Sequence, residues 1–359
     1  MAGLFDPVRL GALDLANRIV MAPMTRSRAD DDGRPNALLV DYYRQRATAG
    51  LIVSEGIQPS IAGKGYARTP GLHEAGQVAA WQPVTAAVHG AGGLIAAQLM
   101  HVGRIAAAAN RLWGTETIAP SAIAARVKLW TPEGMRATET PRALETAEIA
   151  GVIGDYAAAA RNAVAAGFDA VELHCTSGYL PAQFMASGSN VRSDGYGGAA
   201  INRIRFVVET LEALAEAVGA DRVGFRICPG NPFNDLFDED PAATHGALLD
   251  AVDGLGLAYC HLIDMTVPQV VDQRALAAAH WHGPLILNES IDQPRAEALL
   301  TTGAADAIAF GRLFVANPDL VRRFREGLAL APFDAATLYA PGAAGYTDYP
   351  AWGPAPVRR

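Results

Sequence analysis

Short apolar runs alternate with Ala-rich stretches of helical character along most of the chain, from about residue 18 to residue 328. Eight of the apolar runs read as strands: Arg18–Met24, Leu51–Ile57, Leu94–His101, Ala170–Cys175, Val223–Pro229, Tyr259–Met265, Pro284–Ser290 and Ala307–Leu313. Helices are predicted between them over Asn36–Gly50, Gln77–Val88, Ala147–Ala166, Ile201–Val218, Pro241–Asp253, Gln293–Thr302 and Asn317–Gly327. Strand followed by helix, repeated in this way, is the pattern of βα units around a parallel sheet. The repeat predicts a TIM (β/α)8 barrel rather than an open doubly wound sheet. No G-x-G-x-x-G follows the first strand, so the dinucleotide fingerprint of a Rossmann fold is missing.

Three segments stand outside the repeat. Val8–Leu15 alternates around Gly11 and predicts a hairpin closing the barrel floor. The segment from about 105 to 146, after the third strand, is the long irregular insertion; with Trp113, Pro120, Trp130, Pro132, Gly134 and Pro141 it is expected to pass over the barrel mouth. The tail after Pro332 carries Tyr346 and Tyr349 and is expected to pack on the barrel. Residues 1–359 are read as a single domain.

Composition narrows the function. Half of the residues are hydrophobic, enough for a large core, and the formal net charge is −8 without any Lys/Arg run. That balance argues against nucleic acid or an anionic membrane as partner and leaves room for a small anionic ligand held by local charge. No stretch approaches the roughly eighteen consecutive apolar residues of a membrane span, and the start lacks a signal-peptide pattern, so a cytoplasmic protein is expected. Cys175, Cys228 and Cys260 are odd in number, widely spaced and free of a ligand pattern, which predicts neither disulfides nor a metal site.

Chemistry concentrates where the fourth strand ends, in Val171-Glu-Leu-His174-Cys-Thr-Ser177-Gly-Tyr179-Leu180. An imidazole and a phenol leaving one strand terminus suit a polarised carbonyl that must be gripped and protonated; in isolation, the same residues could equally cap a strand. In a TIM barrel the active site gathers at the carboxyl ends of the strands. Polar residues recur there: Thr25 and Arg26 just after the first strand, Glu55 and Gly56 at the end of the second, Gln98 and His101 on the third, Arg226 on the fifth, and Gly311 with Arg312 on the eighth. A buried Arg226 needs an anion facing it, either a ligand or a structural carboxylate.

The stretch around His174, with Gln183-Phe184, Ser189-Asn190-Val-Arg192-Ser-Asp194-Gly-Tyr196 and Asn202-Arg203, resembles the signature region of the Old Yellow Enzyme family of FMN-dependent ene-reductases. The resemblance extends through Met21-Ala-Pro23-Met24-Thr25-Arg26, Leu51–Gly56, Gln98–Arg104 and Ala307–Leu320, in order and over nearly the whole chain. It implies noncovalent FMN, reduced by NADPH or NADH, and a small electron-poor alkene as substrate. Pro23, Met24, Thr25, Gly56, Gln98, Arg226, Gly311 and Arg312 would then hold the cofactor: Thr25 near flavin N5, Gln98 at the pyrimidine edge, Arg226 near N1 and O2, and Gly311 with Arg312 at the phosphate. His174 would grip the activating oxygen and Tyr179 would donate the proton, while Ser177, Tyr66, Met100 and Tyr346 would shape the substrate pocket.

Three positions depart from the family pattern. Ser177 stands where a His or Asn is usual, and Met100 where Trp is usual. Glu289, in Leu287-Asn288-Glu289-Ser290, places a carboxylate near the expected phosphate. The leading expectation is reduction of activated C=C bonds by a ping-pong hydride transfer. The rival is an FMN enzyme on the same scaffold that isomerises or dehydrogenates a specialised metabolite, and neither the natural substrate nor the oligomeric state follows from the sequence.

Overall fold

The computed structural model describes residues 2–111, 114–265 and 271–353; Trp113 of the insertion lies outside them. An antiparallel hairpin comes first, β1 (Val8–Leu10) with β2 (Leu13–Leu15). Eight parallel strands then close into a barrel in the order β3 (Ile19–Met21), β4 (Leu51–Val53), β5 (Ile95–Leu99), β10 (Ala170–His174), β11 (Val223–Ile227), β12 (Tyr259–Ile263), β13 (Leu285–Asn288) and β14 (Ala307–Phe310). The intervening β6 (Ile118–Ala119), β7 (Lys128–Thr131), β8 (Gly134–Ala137) and β9 (Arg142–Ala143) belong to the insertion, where β6 pairs with β9 and β7 with β8. The expected TIM barrel, hairpin and insertion are all present.

Alternation along the barrel strands explains closure. Ile19, Ile52, Ile95, Val171, Leu173, Phe225 and Leu287 belong to the core that includes the helices, whereas Val20, Leu51, Val53, Ala96, Ala170 and Ala307 form a second cluster with Leu10, Leu13 and Leu15 of the hairpin. Small residues in that second cluster leave room for the three leucines to plug the floor. Each such burial contributes about 1.5–3 kcal/mol. Gly11 makes the approach possible: it has φ +57, and a Cβ there would lie 2.2 Å from the carbonyl oxygen of Asp221.

The helices are α1 (Ala37–Gln45), α2 (Ala75–Gly90), α3 (Thr146–Ala165), α4 (Leu180–Met185), α5 (Ala200–Arg203), α6 (Arg205–Val218), α7 (Pro241–Val252), α8 (Gln273–His280), α9 (Gln293–Thr301), α10 (Arg312–Ala316) and α11 (Leu320–Glu326). Polar caps start several of them, including Asn36, Asp240, Asp272 and Asp292, each accepting from a backbone N–H of the first turn. Glu145 and Glu148 form a capping box on α3. The predicted strands were too long at their carboxyl ends: Pro23, Met24, Glu55, Gly56 and His101 lie in the loops after them, and Arg312 opens a helix. Strand pairing stops where the barrel mouth widens into chemistry.

Two long-range ties finish the rim. Arg26 and Arg28 donate to backbone carbonyls of the tail, among them Gly345 at 2.6 Å and Thr337 at 2.6 Å, so the tail packs on the barrel. Arg126, at the base of the β7–β8 hairpin, donates from Nη2 to Oδ1 of Asp235 at 2.8 Å, joining the insertion to the loop after β11. No helix among the described residues is long and apolar enough to cross a membrane.

Candidate active site

Strand register brings the candidate groups together. On β5, β10, β11 and β12, Gln98 pairs with Glu172, His174 with Arg226, and Arg226 with His261. Because side chains alternate, Glu172 and His174 share one face of β10. Gln98 donates from Nε2 to Oε1 of Glu172 at 2.7 Å, and His261 Nδ1 lies 2.8 Å from Oε2. The carboxylate is fully buried. Burial alone would push its pKa up, but His261, Arg226 and Gln98 outweigh burial and hold it below the usual carboxylate range.

That carboxylate answers the question raised by Arg226. Burial lowers the Arg226 pKa, with Glu172 opposing the shift, and Nη2 donates to Oδ1 of Asn288 at 2.5 Å. Its Nε, also buried, finds no hydrogen-bond partner among the described residues. A cation with one donor unspent faces a cavity of about 740 Å³ whose walls include Pro23, Met24, Asn288, Gly311 and Arg312. Glu172 and His261 are absent from the candidates drawn from sequence. For Glu172 the signal was available, because it lies two residues before His174 and therefore on the same face.

His174 is buried, and its pKa is lowered to about 3 by burial first and Arg226 second. It is neutral at physiological pH. Its Nδ1 faces Gln98 Nε2 at 3.4 Å; an amide nitrogen only donates, so Nδ1 accepts and Nε2 carries the proton. The imidazole is thereby set to donate. The Tyr179 ring lies 5.2 Å from that imidazole, centroid to centroid, and the phenol is raised well above its ordinary value by burial and by Tyr66. Its hydroxyl is 3.1 Å from that of Tyr66.

The remaining candidates divide. Ser177, half-buried, has φ +59, and its carbonyl accepts from Asn234 Nδ2 at 2.8 Å. Met100 packs against Gly56 so closely that a Cβ on that glycine would lie 2.6 Å from the sulfur. Thr25 is half-buried in the loop after β3. Tyr346 is fully buried with its ring stacked on Tyr42 at 4.0 Å, beneath the guanidinium of Arg28; its contacts are those of core packing. Glu289 faces Arg312, with Oε1 at 2.6 Å from Nη2.

A closed parallel barrel carrying an imidazole donor, a protonated phenol and a buried cation on one rim, beside a ligand-sized cavity, defines an enzyme of the TIM-barrel class with an anion-accepting site. The family described as NADH:flavin oxidoreductase / NADH oxidase matches residues 3–331. The chain is 40% identical over 354 residues to a Leishmania infantum protein named "Probable flavin mononucleotide-dependent alkene reductase", covering 97% of each chain. It is 39% identical to 12-oxophytodienoate reductase 1 of Oryza sativa subsp. japonica, over 97% of this chain and 92% of that one. A solved structure of morphinone reductase in complex with tetrahydroNAD superposes with a TM-score of 0.94 at 44% identity, covering 100% of both chains. A solved Old Yellow Enzyme homologue from Zymomonas mobilis superposes with a TM-score of 0.94 at 39% identity, covering 97% of this chain and 99% of that one. The chain belongs to the NADH:flavin oxidoreductase / NADH oxidase family. It is an FMN-dependent oxidoreductase that takes its electrons from NAD(P)H.

The residues present fit that cofactor. The unspent Nε of Arg226 suits a group that becomes negative on reduction, and the Glu289 carboxylate on Arg312 marks a place where an anionic oxygen is accepted.

Proposed function

We propose that this rim reduces the C=C bond of small electron-poor alkenes, with His174 gripping the activating oxygen and Tyr179 supplying the proton. The observation that carries the assignment is the 5.2 Å approach of a neutral imidazole and a protonated phenol beside Gln98 and Arg226. Hydride for the β-carbon is the chemistry that FMN, once reduced by NAD(P)H, supplies when bound. Thr25, Gly56, Gln98 and Arg226 would hold its ring, Pro23 and Met24 would line it, and Gly311 with Arg312 would hold its phosphate.

His174 stabilises the negative charge that develops on the substrate oxygen by donating from Nε2, with its tautomer set by Gln98. Tyr179 gives its proton to the α-carbon. Tyr66, whose hydroxyl is in hydrogen-bond reach, is placed to return one. Met100 and Ser177 shape the pocket around these two groups. The buried, unbridged cysteines Cys175, Cys228 and Cys260 support a reducing compartment such as the cytoplasm.

Product analysis under anaerobic conditions tests the reading. Cyclohexenone should be converted to cyclohexanone in step with NADPH or NADH oxidation. An isomerised product formed without nicotinamide, together with an untouched enone, would favour the same-scaffold isomerase that the unusual Ser177 leaves open.

A further inference from the structure

The loop after β13 carries an L-residue pair in the left-handed region, Glu289 with φ +95 and Ser290 with φ +50. Side chains other than glycine adopt such angles rarely, and two in succession need compensating contacts. Here the compensation centres on one atom. Oε1 of Glu289 accepts from Arg312 Nη2 at 2.6 Å and from Ser290 Oγ at 3.0 Å. A carboxylate oxygen therefore sits between a guanidinium and a hydroxyl at the wall of the 740 Å³ cavity. Donors converging in this way on one oxygen are what a phosphate requires.

We infer that the Glu289 carboxylate is an internal stand-in for the flavin phosphate, which FMN must displace from Arg312 in order to bind. This inference rests on the flavin reading and adds to it a determinant of cofactor affinity that belongs to this chain. A phosphate monoester carries about −1.5 to −2 charges at neutral pH. It cannot share Arg312 with an adjacent carboxylate without like-charge repulsion, so the ion pair has to open. Glu289 can leave: its side chain is 31% exposed and that of Arg312 is 65% exposed, so both reach water when they part. A flavin without a phosphate meets no such competition. Glu289 therefore weakens FMN binding and leaves riboflavin binding as it is.

Titration of the full-length protein, freed of flavin, with FMN and separately with riboflavin tests this by quenching of flavin fluorescence. Glu289→Gln keeps the size of the side chain and removes its charge. The FMN Kd should fall about three- to fivefold, the upper part of the range expected when a solvent-screened ion pair no longer competes, while the riboflavin Kd stays within roughly 1.5-fold. Glu289→Gly should bind FMN at least as tightly, because glycine also accepts the positive φ. An unchanged or weaker FMN Kd in Glu289→Gln overturns the inference, as does tightening in the Gly variant alone, which would assign the effect to the backbone. Equal tightening for riboflavin also overturns it. Failure of the wild-type protein to bind either flavin would instead remove the flavin reading, and this inference with it.

Discussion

Gln98 gives its side-chain N–H to the buried carboxylate of Glu172 at 2.7 Å, and this bond decides which end of the amide is left to face the barrel mouth. With Nε2 committed to Glu172 and turned toward His174, the carbonyl oxygen of Gln98 remains as an acceptor. The same carboxylate takes a second bond from His261 and faces Arg226 electrostatically. One buried charge thus orients an amide and balances a cation on separate strands.

Removing that charge should be costly. Glu172→Leu leaves Arg226 without its carboxylate and the His261 N–H without an acceptor, so unfolding free energy should fall by about 3–5 kcal/mol, the cost of breaking a buried pair from one side. Urea denaturation of the two proteins measures it. A loss under about 1 kcal/mol, the scale of a surface pair, would show that solvent reaches the network.

Glu55 predicts a pH dependence of stability. Its carboxyl is buried, with long contacts to the Arg26 backbone N–H at 3.4 Å and the Tyr43 hydroxyl at 3.5 Å, and burial raises its pKa from 4.5 to about 7. A carboxyl raised on folding is stabilising while protonated, fully so below its unfolded pKa, and that contribution is lost as pH rises through the folded value. Wild type should therefore lose up to about 3 kcal/mol relative to Glu55→Gln between about pH 5 and pH 8. Thermal melts of both proteins across that range provide the check; parallel curves would mean that Glu55 is ionised throughout.

Much of this architecture is legible in the chain. The apolar runs at β3, β4, β5 and β10–β14 locate all the barrel strands, and the alternation around Gly11 locates the hairpin that plugs the floor. Other elements were hidden for physical reasons. The α8 helix, Gln273–His280, is short and polar apart from its alanines and Leu276, so no apolar stripe announces it. The predicted eighth strand ran on past Phe310 to Leu313, two residues into α10, because Leu313 suits a strand as well as the helix it joins. In the site, His174, Tyr179, Gln98 and Arg226 could be named from strand-end position and family resemblance. The Glu172–His261 bond could not, because it depends on a register between strands 89 residues apart. Tyr346 has an aromatic's usual affinity for a pocket, but stacking on Tyr42 buries it completely.

Ser177 sets the third prediction. Its backbone has φ +59, an angle that Asn adopts more readily than most residues, so Ser177→Asn should fold without added strain. The longer amide adds a donor beside His174, and kcat/KM for cyclohexenone should rise, up to the roughly hundredfold scale of an oxyanion-type donor. Steady-state kinetics report the gain, and NADPH oxidation in the first half-reaction should change little. No gain, or a loss, would assign Ser177 to a specialised substrate or to the turn alone.

The most direct test of the assigned chemistry separates hydride from proton transfer. Tyr179→Phe removes one hydroxyl from the pair with Tyr66 and leaves the ring beside His174 in place. Stopped-flow traces of the two half-reactions should show reduction of the bound flavin by NADPH near the wild-type rate and reoxidation by cyclohexenone slowed about a hundredfold or more. Equal slowing of both halves would reduce Tyr179 to a packing residue, and an unchanged rate of reoxidation would contradict its role as the proton donor.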